Sequence, residues 1–262
     1  MKSEDVGRYW EGNAATWTRL SRTGHDVYRD ALNTPAFLDM LPPVRGLHGL
    51  DIGCGEGTNT RRLAEHGAVM QAIDIAPTFI AHARASEAED PRGIGYQLAD
   101  ALALPFTDSS FDFAASFMAM MDMPDQAKAL REVHRVLRPS GFFQFSILHP
   151  CFVPPKRRNI RDAAGEPVAV EVADYFRRTD GEVESWTFST IPEAERSGLT
   201  PFQVPRFHRT LADWVDMIVA AGLTLEKLGE PRASAEIAAR EPVVADTRVA
   251  PIFLHFRVRK AA

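Results

Sequence analysis

A strand-like run, Leu50-Asp51-Ile52, passes directly into Gly53-Cys54-Gly55-Glu56-Gly57, and a helical pattern follows from Thr58 to His66. Glycine at such a point lets the backbone turn tightly and approach a ligand with no Cβ in the way, which is what the first crevice of a parallel sheet requires. The layout then repeats. Short apolar runs near Leu50–Ile52, Val69–Ile73, Ile94–Leu98, Phe111–Ser116 and Gly141–Leu148 alternate with helical spacing over Thr58–His66, Pro77–Ala88 and Gln126–Leu137. This alternation predicts an α/β fold, a parallel sheet with helices on both faces. Arg138-Pro139-Ser140-Gly141 stops the third helix and turns into the fifth strand.

Acids follow the loop at informative places. Asp74 ends the second run about 20 residues after the first glycine, where a carboxylate can accept hydrogen bonds from both hydroxyls of a ribose. Asp100 follows the third run. A nicotinamide-binding loop would read Gly-x-Gly-x-x-Gly, its helix start receiving a diphosphate. Here the spacing is Gly-x-Gly-x-Gly, with Asp51 and Glu56 beside the place the diphosphate would occupy, an unfavourable pairing of like charges. A cationic or zwitterionic cofactor suits this loop better.

With these residues in view, the chain resembles the class I S-adenosylmethionine-dependent methyltransferases, in particular the subgroup of the ubiquinone and menaquinone biosynthesis enzymes. The resemblance covers roughly residues 47–148. It rests on Asp-x-Gly-x-Gly-x-Gly at 51–57, Asp74, Asp100-Ala101-Leu102-Ala103-Leu104-Pro105-Phe106, Phe111-Asp112-Phe113 and Leu137-Arg138-Pro139-Ser140-Gly141, in that order. It implies a Rossmann-like seven-stranded sheet whose last strand is antiparallel, and S-adenosylmethionine as cofactor. It further implies that Asp51 and the Gly53 and Gly55 backbone hold the methionine end, Asp74 the ribose, and Asp100 with the Ala101 amide the adenine. Phe117 and Met118 would flank the cofactor, and Cys54, Gly57 and Ile75 complete the binding set. No metal is expected, since the histidines, His66 and His134 among them, do not form a metal-binding spacing.

The segments outside this core read as a cover. Residues 4–40 look helical and carry Tyr9, Trp10, Trp17, Tyr28 and Phe37, aromatics that either pack in the core or fold over a ligand opening; after Leu148 the sheet pattern breaks for roughly sixty residues. A stretch that long inside a compact domain is usually functional. Within it, Val168–Phe176 and Glu182–Ser189 can pair as a hairpin across Asp180-Gly181. Thr210 caps a helix with Asp213 three positions on, Gly222 ends it, and Thr224–Leu228 and Ile252–Val258 supply the sixth and seventh strands. The expected organisation is one domain over 1–262: an N-terminal helical segment (1–46) contributing to the cap, a cofactor-binding core (47–148), a cap-like substrate insertion after the fifth strand (150–207), and a final helix with two strands (208–262).

His149 follows the fifth strand at the carboxyl edge of the sheet, where ligands of such sheets lie. It is the candidate base or substrate-orienting residue, with a structural role in the Pro150 turn as the alternative. Tyr9, Trp17 and His208 are the other candidate substrate contacts, with a helix-start role as the alternative for His208. Cys54 and Cys151 lie too far apart for a disulfide framework or a zinc module, which fits a reducing cytoplasm. The formal charge of −5 gives no reason to expect a nucleic-acid partner. The stretch free of Asp, Glu, Lys and Arg from Pro139 to Pro155 is broken by prolines, so no membrane span is expected. The expected function is methyl transfer from S-adenosylmethionine to a heteroatom (O, N or S) of a small molecule. The alternatives are a tRNA or protein methyltransferase, or a non-catalytic protein that binds the cofactor. Oligomeric state is left open.

Overall fold

In a computed structural model that describes residues 1–262, β1 (His48–Ile52) pairs in parallel with both β2 (Val69–Asp74) and β4 (Phe111–Phe117). Outside these lie β3 (Gly95–Leu98), parallel to β2, and β5 (Leu137–Leu148), parallel to β4. The last strand, β11 (Phe253–Lys260), runs antiparallel to β5, and β10 (Leu223–Gly229) runs antiparallel to β11. The order β10-β11-β5-β4-β1-β2-β3 is the expected seven-stranded sheet with its last strand reversed. The chain leaves β1 toward β2 and β3 on one side and returns to β4 and β5 on the other, so a crevice opens at the carboxyl ends of β1 and β4.

Alternation along the strands builds two cores. Leu50 and Ile52 of β1 join Phe143, Phe145 and Phe256 beneath α5 (Gln126–Val136) and α7 (Leu211–Ala220). Met70, Ala72, Phe113 and Phe142 face the other way, with Leu63 and Ile80, beneath α3 (Thr58–Glu65) and α4 (Pro77–Glu89). Thr210 caps α7 as read from the sequence: its hydroxyl accepts from Asp213 N, and Asp213 Oδ2 accepts from Thr210 N at 2.9 Å. The third helix stops at Val136, but β5 begins at once at Leu137, with Ser140 in the left-handed region where the register shifts.

The N-terminal segment forms α1 (Ser3–Arg22), a π-helical turn over Arg29–Asn33, and α2 (Thr34–Met40). The insertion corrects one expectation: Val168–Phe176 does not pair with Glu182–Ser189. Instead β6 (Lys156–Arg161) pairs with β7 (Pro167–Ala173), and β8 (Glu182–Trp186) pairs with β9 (Phe202–Arg206), with α6 (Glu193–Arg196) between. The tight turn lies earlier, where Asp162 Oδ1 accepts from the Ala164 and Glu166 amides and Gly165 adopts φ +85°. The Asp180-Gly181 turn serves β9, because the Gly181 amide and the Thr179 hydroxyl both donate to Arg206 O. Between β10 and β11 lie α8 (Ala235–Arg240) and a 3-10 turn over Pro242–Arg248, neither read from the sequence.

Candidate active site

A cavity of about 620 Å³ opens at the β1/β4 crevice, a volume typical of small-molecule sites. The glycine loop forms its floor. Gly53 takes φ +72°, and a Cβ there would lie 2.4 Å from Ala119 Cβ, so only glycine lets the loops after β1 and β4 touch. Gly57 does not line the cavity: it takes φ +90°, and a Cβ would meet the Tyr96 hydroxyl at 2.7 Å, so its task is close packing at the start of α3.

The acids stand around this loop. Asp51 is fully buried, one carboxyl oxygen accepting from Thr60 Oγ1 at 2.6 Å and the other, Oδ1, having no partner. Burial pushes its pKa up to about 7, against the lowering effect of the Thr60 bond. Asp74 accepts from Gly55 N and Ala76 N, each at 2.9 Å, and burial holds its pKa near 6. Asp100 Oδ1 accepts from Leu102 N at 2.8 Å, and Asp100 and Ala101 both reach the cavity wall. Cys54, Ile75, Phe117 and Met118 line it too. Met118 is held at φ +57°, its amide donating to Ser146 O at 3.1 Å, a strained backbone beside the site. Glu56 is not a free anion at the loop, since Arg22 and Arg29 pair with it at 3.0 and 3.5 Å.

This donor set fits S-adenosylmethionine. The orphaned, buried Asp51 oxygen needs a donor, which the ammonium of the methionine end would supply, and Asp74 retains lone pairs that ribose hydroxyls could use.

The opposite wall comes from the N-terminal segment and the insertion. On α1, Ser3, Val6, Trp10 and Trp17 share one helix face and reach the cavity. Tyr9 falls off that stripe and does not line it; Trp10 takes the place given to Tyr9 in the sequence reading. Trp17 packs on Trp186, Phe188 and Phe202 with ring centroids 5.4, 5.0 and 4.8 Å away. Asn13 ties α1 to β9 by two hydrogen bonds to the Gln203 backbone.

The two histidine expectations are corrected. Leu148 faces the cavity, so His149, one residue on, turns away. The His149 ring is buried, with Nε2 2.9 Å from Glu230 Oε1 and Nδ1 accepting from the Cys151 amide. His208 is likewise buried behind the wall, its Nε2 2.8 Å from Tyr175 O.

Several polar wall groups were not singled out from the sequence. Asp246, on the 3-10 turn, accepts from Tyr28 and Asn159 at 2.9 and 3.0 Å. Asp122 lies in the short 3-10 turn after β4, only 6% exposed, its amide donating to Ala119 O and its carboxyl making no hydrogen bond to the chain. The available signal was its place, a few residues past a strand end at the carboxyl edge of the sheet.

A family model described as a methyltransferase domain matches residues 50–145. The O-methyltransferase cnsE of Penicillium expansum is 38% identical over 117 residues, covering 42% of this chain and 42% of its own length. The 27-O-demethylrifamycin SV methyltransferase of Amycolatopsis mediterranei (strain S699) is 34% identical over 180 residues, 64% of this chain and 61% of its own. The chain thus spans less than two thirds of these relatives. A solved S-adenosylmethionine-dependent methyltransferase from Mesorhizobium loti superposes with a TM-score of 0.69 at 30% identity, over 86% of this chain and 96% of that one.

Proposed function

Because the chain belongs to the class I S-adenosylmethionine-dependent methyltransferases, we propose that it transfers the cofactor's methyl group to an oxygen of a small-molecule acceptor. One observation carries this reading: a single cavity joins the glycine loop and its three acids to a wall of tryptophan and phenylalanine side chains. When bound, S-adenosylmethionine supplies a methyl carbon already activated by a sulfonium leaving group. The protein's tasks are then alignment and exclusion of water. Asp51 holds the ammonium group, Asp74 the ribose, Asp100 and Ala101 the adenine. Trp10, Trp17, Trp186 and Phe188 enclose the acceptor, and their apolar surface favours an aromatic or otherwise apolar molecule.

Oxygen is preferred to nitrogen or sulfur because one relative named above, cnsE, is an O-methyltransferase, and the named substrate of another is an O-demethyl compound. A tRNA or protein acceptor would have to pass α1 and the β8–β9 pair, which lie across the cavity. The test is calorimetric titration with S-adenosylhomocysteine, then incubation with S-adenosylmethionine and a panel of phenols and hydroxylated polyketides. Binding followed by acceptor-dependent release of S-adenosylhomocysteine is expected. Absence of binding overturns the reading, and transfer to tRNA alone redirects it to the macromolecular alternative.

A further inference from the structure

Asp122 is the buried acid in the cavity that neither the cofactor nor the fold accounts for. It sits on the wall three residues beyond Ala119, the residue that touches Gly53, and it accepts no hydrogen bond from the chain. The carboxyl oxygens are not sealed in the protein but open to the cavity, where a ligand can supply the donor that the chain does not. The charged groups facing it are Arg206 on β9 and Glu184 on β8. These two pair at 3.2 Å, Arg206 also donates to Val153 O at 2.6 Å, and neither makes a hydrogen bond to Asp122. Behind the turn, β5 and α5 contribute apolar side chains, Ile147 and Leu130, that pack in one core with Met120.

Resting on the methyl-transfer reading, we infer that Asp122 binds the acceptor hydroxyl and removes its proton. As the acceptor oxygen's lone pair bonds to the methyl carbon, the carbon–sulfur bond breaks with its electron pair going to sulfur, and the hydroxyl proton passes to a carboxylate oxygen of Asp122. Burial pushes the Asp122 pKa up to about 8, which Arg206 lowers and Glu184 raises. A carboxyl so placed is poised as a base near neutral pH, where an ordinary carboxylate is too weak. Two other acids on the wall, Asp26 and Asp74, are held by burial near 6, below Asp122.

Phenol is a suitable probe, since it stays neutral to about pH 10, as a tyrosine does. Its binding to the S-adenosylhomocysteine complex is followed by saturation-transfer NMR from pH 6.5 to 9, for the wild type, Asp122→Asn and Asp122→Glu, each checked by thermal melting. Phenol is expected to bind the wild type about tenfold more tightly at pH 9 than at 6.5, as a charged acceptor replaces a neutral one. Asp122→Asn should flatten that dependence, and Asp122→Glu should restore it. Failure of phenol to bind, or the same pH profile in wild type and Asp122→Asn, overturns the role of Asp122. Failure of S-adenosylhomocysteine itself to bind overturns the methyl-transfer reading and this inference with it.

Discussion

The Gly55 amide donates to Asp74 Oδ2 at 2.9 Å, so the glycine loop and the acid at the end of β2 hold each other in place. Asp74 Oδ1 is taken in the same way by Ala76 N at 2.9 Å. Each oxygen keeps a further lone pair, which leaves the carboxylate able to accept two ribose hydroxyls. Asp74→Ala is therefore expected to weaken S-adenosylhomocysteine binding by roughly 1–3 kcal/mol, through lost ligand bonds and a loosened loop. Calorimetric titration checks it, and unchanged affinity would remove Asp74 from the cofactor site.

The strand, loop and acid sequence of β1 through β5 was legible because each strand is a short apolar run and each connection a helix with its own period. The insertion was not. No residue of Pro167–Ala173 is buried, so its sequence carries no burial pattern to select a partner strand, and the pairing is settled locally by the Asp162 turn. His149 shows a second limit of the same kind. The β5 pattern placed it at the correct edge, but which of Leu148 and His149 faces the ligand depends on pairing with β11 and on Glu230, far along the chain. Asp122 escaped notice because nothing in its neighbourhood repeats.

Asp51 should make cofactor binding pH-dependent. In the free protein it is held up to about 7 by burial, whereas pairing with an ammonium group requires the ionised form. Affinity for S-adenosylhomocysteine is expected to rise as pH increases from about 5.5 through 7 and then to level, with a proton released on binding at the low end. Calorimetry in buffers of different ionisation enthalpy measures that proton. The sign for stability is opposite. Between about pH 4 and 7 the native cofactor-free protein retains a proton that the unfolded chain has lost, so this group's contribution to stability falls as pH rises. Asp51→Asn should thus melt higher than the wild type at pH 8 without cofactor, yet bind S-adenosylhomocysteine far more weakly.

Trp17 joins α1 to the insertion through Trp186, Phe188 and Phe202. If these segments cover the acceptor, Trp17→Ala should speed amide exchange across residues 182–206 and weaken phenol binding, while S-adenosylhomocysteine affinity stays within about threefold. Truncating a buried aromatic typically loses about 3–5 kcal/mol, and the half-buried position of Trp17 places it at or below the lower end. Uniform exchange changes over the whole chain would show global destabilisation and no separate cover.

His149 is expected to behave as a structural residue. Its Nδ1 accepts from the Cys151 amide at 3.2 Å, which leaves the proton on Nε2, 2.9 Å from Glu230, and its ring packs on Phe152. His149→Ala strands the Cys151 amide and removes the link to Glu230, a loss of roughly 1–3 kcal/mol. Burial lowers the His149 pKa, although Glu230 opposes this, so below pH 6.5 the unfolded chain binds a proton more readily than the native one. The stabilisation is therefore present above pH 6.5 and lost as pH falls through the lowered value, so the gap in melting temperature between wild type and His149→Ala should be widest near pH 8 and narrow toward pH 5. Affinity for S-adenosylhomocysteine and for phenol in its complex should be unchanged in the folded variant. Lost phenol binding with an unaltered melt would instead place the imidazole at the acceptor.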